Sequence, residues 1–184
     1  MGLLSDGINE VIATTAFNAA PMGIICRNEL IRMGLFAGSH TAQNIERDRW
    51  VVANIVHDPV LYVQTAFTDL NRDAFIEEKV NGTVMVRLAK AEAWAAFEAV
   101  IERRGSESMA IRLHLLKEEV LSPLIHPVNR GFNSIIDATV HGTRYVISRD
   151  QGLKKMITYH AGIVRKCGGK QETEALELLM KYIK

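Results

Sequence analysis

The chain has 184 residues, of which 48% are hydrophobic and 23% charged, with a formal net charge of +1. That composition belongs to a folded globular protein and excludes long disorder. The near-zero charge excludes a dedicated nucleic-acid binder, which needs a basic excess to displace counterions. A chain of this size buries roughly 70% of its unfolded surface, enough for a core without staples. Cys26 and Cys167 form no CxxC pair and no metal-ligand spacing, so they read as unrelated reduced thiols. The first ten residues hold no basic stretch followed by an apolar run, and no apolar run reaches the ~18 residues needed to span a bilayer. Both observations point to the cytoplasm. Lys154, Lys155, Arg165, Lys166 and Lys170 read as a solvated helix face.

Ile8 to Phe17, rich in Val, Ile, Thr and Phe, reads as a strand. Asn18-Ala19-Ala20-Pro21 interrupts it, and Met22 to Arg27 continues as a second strand. Asn28-Glu29 reads as a tight turn and Leu30 to Phe36 as a third strand, an antiparallel meander. Ala37-Gly38-Ser39 breaks the pattern. His40 to Arg47 follows as a short helix with Ser39 as its N-cap. Trp50 to Val56 is a continuous apolar run of strand length, fit for the middle of a barrel. Asp58-Pro59 starts a helix, with Asp as N-cap and Pro at the first helical position, that runs to about Phe67.

Residues 68–82 are polar and read as a loop with one helical turn at most. Thr83 to Leu88 alternates and reads as a strand. The Ala, Glu and Lys content of 89–103 favours helix by propensity. However, Met109, Ile111, Leu113 and Leu115 beyond Gly105 alternate with period two and need a partner strand. The segment before the glycine is the simplest partner, so Trp94 to Arg103 is assigned as the other arm of a long hairpin. Ser122-Pro123 and Pro127 mark a change of character. From Asn129 the periodicity is helical. Phe132, Ile136, Val140 and Thr143 share one face; Leu153, Met156, Ile157, His160 and Val164 share another; Leu176, Leu179, Met180 and Ile183 form a third stripe. Gly168-Gly169 ends the second helix. The reading is an α+β, mainly β, chain: an antiparallel barrel over 1–122 and three appended helices over 123–184.

The six histidines form no HxxxH or HExxH pair, and there is no GxSxG and no P-loop. A metal centre and a nucleophile triad are therefore unsupported. Two features remain. In Asn18-Ala19-Ala20-Pro21-Met22-Gly23, small residues let another molecule approach the backbone and proline removes a ladder donor. Amides and carbonyls there can face the polar rim of a planar heterocycle; a plain β-bulge would look the same. In Gly38-Ser39-His40-Thr41-Ala42-Gln43-Asn44-Ile45, a helix N-terminus offers unpaired N–H groups and two hydroxyls to a phosphate. An ordinary N-cap would also read this way.

Together, the two features resemble the FMN-binding split β-barrel superfamily, in particular its flavin reductase and flavoredoxin-like branch. There an N-x-A-P strand is followed by a K-D-T loop, then N-I, then a strand ending V-x-N. The counterparts here are Asn18 to Gly23, Ser39-His40-Thr41, Asn44-Ile45 and Val51-Val52-Ala53-Asn54. The resemblance implies an FMN cofactor. Ala19, Ala20, Pro21 and Met22 would line its ring with their backbone. Ser39, His40 and Thr41 would hold its phosphate, and Asn18, Asn44 and Asn54 would make polar contacts. Ser39-His40 replaces the usual Lys-Asp, so a cation such as His40, Arg27 or Arg32 has to stand in for the lysine.

Over most of its length the chain is also similar to an archaeal and methylotroph family of unknown function that joins such a barrel to a helical C-terminal segment. Asn129-Arg130-Gly131-Phe132, Ile136-Asp137-Ala138 and Thr143-Arg144 carry that likeness, which implies a homodimer with flavin near the subunit interface. Arg130 is either a contact to flavin or substrate, or simply part of a helix start. An FMN-dependent oxidoreductase of the flavin reductase type, with unknown donor and acceptor, is the first functional expectation. A non-catalytic flavin carrier or sensor, and a deazaflavin-coenzyme-binding protein, are the alternatives. Haem lacks a marked axial ligand, and a ligand-free module requires Ser39 to Asn44 to be only a cap.

Overall fold

Eight strands, five α-helices and one short 3-10 helix, the single turn Arg72–Ala74 allowed by the sequence, follow one another in the structure, a computed structural model that describes residues 2–184. The strands are β1 (Gly7–Thr15), β2 (Asn18–Arg27), β3 (Leu30–Phe36), β4 (Trp50–Ile55), β5 (Phe75–Val80), β6 (Thr83–Leu88), β7 (Ala93–Arg104) and β8 (Ser108–Val120). The helices are α1 (His40–Asp48), α2 (Pro59–Phe67), α3 (Arg130–Ser148), α4 (Gln151–Cys167) and α5 (Lys170–Tyr182). The strands β1-β2-β3-β8-β7-β4 close into an antiparallel barrel, sealed by pairing of β1 with β4. β5 and β6 form a separate two-stranded sheet. Three helices end the chain, so the architecture is the α+β barrel with a helical extension that the sequence predicts.

The chain divides into two compact units, residues 1–56 with 70–124 and residues 57–69 with 125–184. In the first, inward side chains of alternating strand positions fill the barrel: Val11 and Ala13, Ile24 and Cys26, Met33 and Leu35, Val51 and Ala53, Ala95 and Phe97, Met109 and Ile111. This period-two burial is what a pleated strand facing one core requires. The long β7–β8 hairpin forms as expected; pairing overrides the helical composition of 89–103. In the second unit, α2 joins α3, α4 and α5 around Ile135, Ala138, Ile157, Ala161, Val164, Leu176 and Leu179. α2 starts as predicted, with Asp58 accepting from the amides of Val60 and Leu61 and Pro59 opening the helix.

Three local expectations are corrected. Asn18–Pro21 does not interrupt the strands; it is the start of β2, and Thr15 pairs with Asn18 across a two-residue turn. That turn is Ala16-Phe17, both in the left-handed region at φ 40° and 62°. Hairpin turns of this kind match the twist of the flanking strands but normally recruit Asn or Gly, so Ala-Phe gave no turn signal. Residues 75–80, assigned to a loop, form β5, which turns into β6 at Asn81-Gly82. On α3 the apolar face read from sequence is not the buried one. Gly131, Ser134, Ile135, Ala138, Thr139, Gly142 and Tyr145 face inward, while Val140 is exposed and Phe132 and Ile136 are half-buried. Small residues win that face because backbones come close there: a Cβ on Gly131 would lie 2.5 Å from Gly168 Cα.

Candidate functional site

β2 has two different halves. From Ile24 to Cys26 it pairs with β3 on one side and β1 on the other, and Arg27 pairs with β3 alone. From Asn18 to Gly23 it pairs with β1 alone. The outer edge of Ala19-Ala20-Pro21-Met22-Gly23 therefore presents backbone groups that no neighbouring strand takes up. Pro21 sits in this stretch opposite Ile12, a position tolerated because an edge strand can lose a donor. Ala19 is buried, and Ala20, Pro21 and Met22 are half-buried.

The N-terminal half of α1 lies against the start of that edge. Asn18 Nδ2 donates to Thr41 Oγ1 at 3.0 Å, and Asn44 Nδ2 donates to the carbonyl and hydroxyl oxygens of Thr15, each at 3.2 Å. Thr41 and Asn44, three residues apart, share the helix face that meets the hairpin turn. The two motifs singled out in the sequence are thus one structural feature, joined by side-chain amides. Ser39 acts as the N-cap: its Oγ accepts from the amide of Ala42 and donates to the carbonyl of Phe36. Its polar capacity is committed within the protein. The amides of His40 and Thr41 find no acceptor among the described residues, as the first amides of a helix do. His40 itself is exposed.

Asn54, expected to contact a ligand, is fully buried, and its amide is spent on the barrel. Nδ2 donates to the Ile12 carbonyl at 2.8 Å and to Thr14 Oγ1 at 3.0 Å, and Oδ1 accepts from the Leu88 amide at 2.7 Å. It ties β1, β4 and β6 together behind the edge. Arg130 opens α3 as an exposed residue of the helical unit. Its neighbour Asn129 is the N-cap, accepting from the amides of Gly131 and Phe132.

Of the cations considered as substitutes for the missing lysine, Arg32 is engaged by Glu102 at 2.8 Å. That hydrogen bond, with help from Arg112, holds the Glu102 carboxyl below its ordinary range. Arg27 is exposed at the other end of β2, paired with Leu30. Sequence reading missed Thr15, the hairpin turn, and the Arg72 guanidinium, which lies 3.9 Å over the Phe17 ring. Period-two alternation on both sides of a two-residue gap was the available signal for the turn. Nothing in the sequence couples Arg72 to Phe17. No group of His, Cys, Asp and Glu among the described residues is arranged to hold a metal, and no helix among them is long and apolar enough to cross a membrane.

Comparison with known proteins places this geometry among relatives. The model of a protein family of unknown function (DUF447), N-terminal domain, matches residues 9–122, and the DUF447 C-terminal model matches residues 129–181. The FMN-bound protein MM1853 of Methanosarcina mazei, a crystal structure, is 34% identical, with a TM-score of 0.90 over 97% of this chain and 96% of that one. The uncharacterised protein MJ1453 of Methanocaldococcus jannaschii is 24% identical over 96% of this chain and 98% of its own length. The flavin reductase HpaC, solved with NADP+, shares the barrel fold at 12% identity and a TM-score of 0.50, covering 65% of this chain and 83% of that one.

Proposed function

The chain belongs to the DUF447 family, and from that premise we propose that it is an FMN-binding flavoprotein, an oxidoreductase of the flavin reductase type whose donor and acceptor are small redox molecules. The observation that carries this reading is the junction of the unpaired β2 edge with the start of α1, held by Asn18 and Thr41. A planar heterocycle rimmed with donors and acceptors matches a bare strand edge, and a phosphate matches the two unclaimed amides of His40 and Thr41. The helix dipole adds roughly 0.3–1 kcal/mol for an anion there. The FMN carried by the Methanosarcina relative supports the same ligand.

Each residue has a defined part in this reading. The backbone of Ala19, Ala20, Pro21 and Met22 faces the ring. The amides of His40 and Thr41 take the phosphate, and the exposed His40 side chain is a candidate substitute for the missing lysine. Ser39 keeps the helix start in shape, and Asn44 fixes α1 on the hairpin. Asn54 supports the edge from inside the barrel rather than touching the ligand. Arg130 remains a candidate contact, to be removed from the site if Arg130→Ala leaves FMN affinity and turnover unchanged. When bound, the flavin supplies the electron-transfer chemistry, while the protein binds and orients it. A non-catalytic flavin carrier or sensor is the second reading, since the edge and the helix start serve to bind and orient the cofactor in either case. We also assign the protein a homodimeric state, on the resemblance of its C-terminal motifs and on the apolar side chains it leaves in solvent.

The test is the visible spectrum of the purified protein and of the pigment released by heat. A two-banded flavin spectrum with FMN in the supernatant supports the cofactor; a deazaflavin pigment would replace FMN by its analogue in the same site. A colourless protein that takes up neither compound would overturn the reading. Reduction of the bound flavin by NADH or NADPH then separates oxidoreductase from carrier.

A further inference from the structure

The turn that leads into β5 meets the start of the β2 edge. Arg72–Ala74 is a single 3-10 turn, and backbone hydrogen bonds anchor it. The Ala74 amide donates to the Asn71 carbonyl at 3.0 Å, and the Ala74 carbonyl accepts from the Ala89 amide at 2.8 Å. Phe75 is buried, and its ring meets that of Phe17 edge-on at 5.7 Å. The Arg72 guanidinium lies over the same Phe17 ring at 3.9 Å. Phe17 directly precedes Asn18, their Cα atoms about 3.8 Å apart across the peptide, and the Asn18 side chain donates to Thr41 in the first turn of α1. Arg72 thus stands at the end of the edge where the His40 and Thr41 amides are unclaimed.

Little of its hydrogen-bonding capacity is spent. A guanidinium carries five N–H donors, and among the described residues Arg72 makes one hydrogen bond, from Nη2 to Glu77 Oε1 at 3.2 Å. The two side chains of that pair are 74% and 54% exposed, and an ion pair in water holds its partners weakly. The contact with Phe17 is made by the charge over the ring face and uses none of the N–H groups. Other arginines of the barrel unit are committed more firmly. Arg47, in the last turn of α1, gives Nε and Nη2 to the two carboxylate oxygens of Asp48 at 2.7 and 2.6 Å. Arg32 and Arg112 share Glu102.

We propose that Arg72 supplies the positive charge that meets the flavin phosphate, in place of the lysine that this chain lacks. The inference rests on the FMN reading above and adds a residue that neither the edge motif nor the α1 motif contains. Charge balance calls for such a group. The start of α1 presents roughly half an elementary charge, whereas a phosphate monoester carries about −1.5 to −2 near pH 7. A guanidinium matches phosphate oxygens with paired N–H groups. Phe17 holds that guanidinium at the α1 end of the edge, so less side-chain freedom is lost when an anion arrives. Arg72 therefore acts on the phosphate and not on the ring, and it selects a phosphorylated flavin over the bare one.

The experiment is a fluorescence titration of the full-length protein, freed of bound flavin, with FMN and separately with riboflavin, which has the same ring and no phosphate. Arg72→Met keeps an apolar stem on Phe17 and removes the charge. It is expected to raise the FMN dissociation constant about tenfold, as the loss of one hydrogen bond to a charged group does, and to leave that of riboflavin unchanged. The salt dependence of FMN binding should flatten in the same variant. Glu77→Gln removes the competing carboxylate and should tighten FMN but not riboflavin; it keeps Arg72 and serves as the test if Arg72→Met does not fold. Unchanged FMN affinity in both variants overturns the assignment. An equal loss for both flavins in Arg72→Met also overturns it, because the residue then acts through Phe17 and the hairpin. A wild type that binds FMN and riboflavin equally removes the phosphate contacts, Arg72 among them, and leaves the ring site standing. A wild type that binds neither overturns the FMN reading itself.

Discussion

Asn18 on β2 and Asn54 on β4 are the same residue type on the two strands that flank β1, and burial gives them different work. Asn54 is sealed and satisfies a carbonyl and a hydroxyl of β1 and an amide of β6. Asn54→Ala leaves the Leu88 amide without its acceptor in the core, whereas Thr14 Oγ1 still donates to the Val86 carbonyl. A buried orphan of this kind costs about 1–3 kcal/mol, and a loss of that size in chemical denaturation is expected. Asn18 is half-buried and spends its amide on Thr41. Thr41→Val keeps the shape and removes the hydroxyl, so FMN affinity should fall about 5–10-fold, the worth of one hydrogen bond, with little change in melting temperature. Unchanged affinity by fluorescence titration would detach Thr41 from the site. A third residue speaks to pH. Burial first, and then the His160 imidazole 5.7 Å away by ring centroid, lowers the pKa of His141. The unfolded chain takes up this proton near pH ~6.5, while the folded chain takes it up only further below. The stabilising contribution is thus full above that value and is lost as pH falls toward the folded pKa. Melting temperature should drop between pH 7 and 5, and less steeply in His141→Gln; parallel curves would exclude this histidine as the cause.

Among the elements, the hairpin turn between β1 and β2 is where local preference and tertiary structure disagree. Ala16 and Phe17 both hold left-handed backbone, a conformation costing roughly 1–2 kcal/mol per ordinary residue. The ring of Phe17 is held by Phe75 edge-on at 5.7 Å and by the Arg72 guanidinium. Ala16→Asn should relieve part of the strain and stabilise the protein by about 0.5–1 kcal/mol, measured by urea unfolding. The α3–α4 contact tests the opposite kind of fit. Gly131→Ala would place a methyl group on the backbone of Gly168, where neither side can yield, and should cost about 2 kcal/mol or more. These two places also mark what pattern reading misses. A run of Ala-Phe carries no turn chemistry, so the strand break was placed on Asn18–Pro21 instead. On α3 the hydrophobic stripe was ranked by side-chain size, whereas close helix approach selects Gly, Ser and Ala. β5 was missed because Phe75-Ile76-Glu77-Glu78-Lys79-Val80 buries only its two ends, although the Asn-Gly turn behind it was a readable hairpin signal.

For the whole molecule, ligand linkage gives the broadest test. FMN that binds only the folded chain stabilises it by about 2.7 kcal/mol at a hundredfold excess over its dissociation constant. Calorimetry should therefore show a melting temperature that climbs with FMN concentration, and climbs less with riboflavin, which lacks the phosphate. Equal shifts would remove the α1 amides from phosphate binding. The sequence by itself determined the strand-rich body followed by three helices, the long β7–β8 hairpin, and the starts of α1 and α2. These are legible because periodicity, capping and proline chemistry act over a few residues and leave a local pattern. Only the tertiary structure decided that β3 leaves β2 beyond Ile24, that Asn18 reaches Thr41, that Asn54 turns inward, and that Arg72 lies over Phe17. Each of those depends on which segments meet across many residues of chain, and strand pairing and burial are set by the whole packing rather than by any window of sequence.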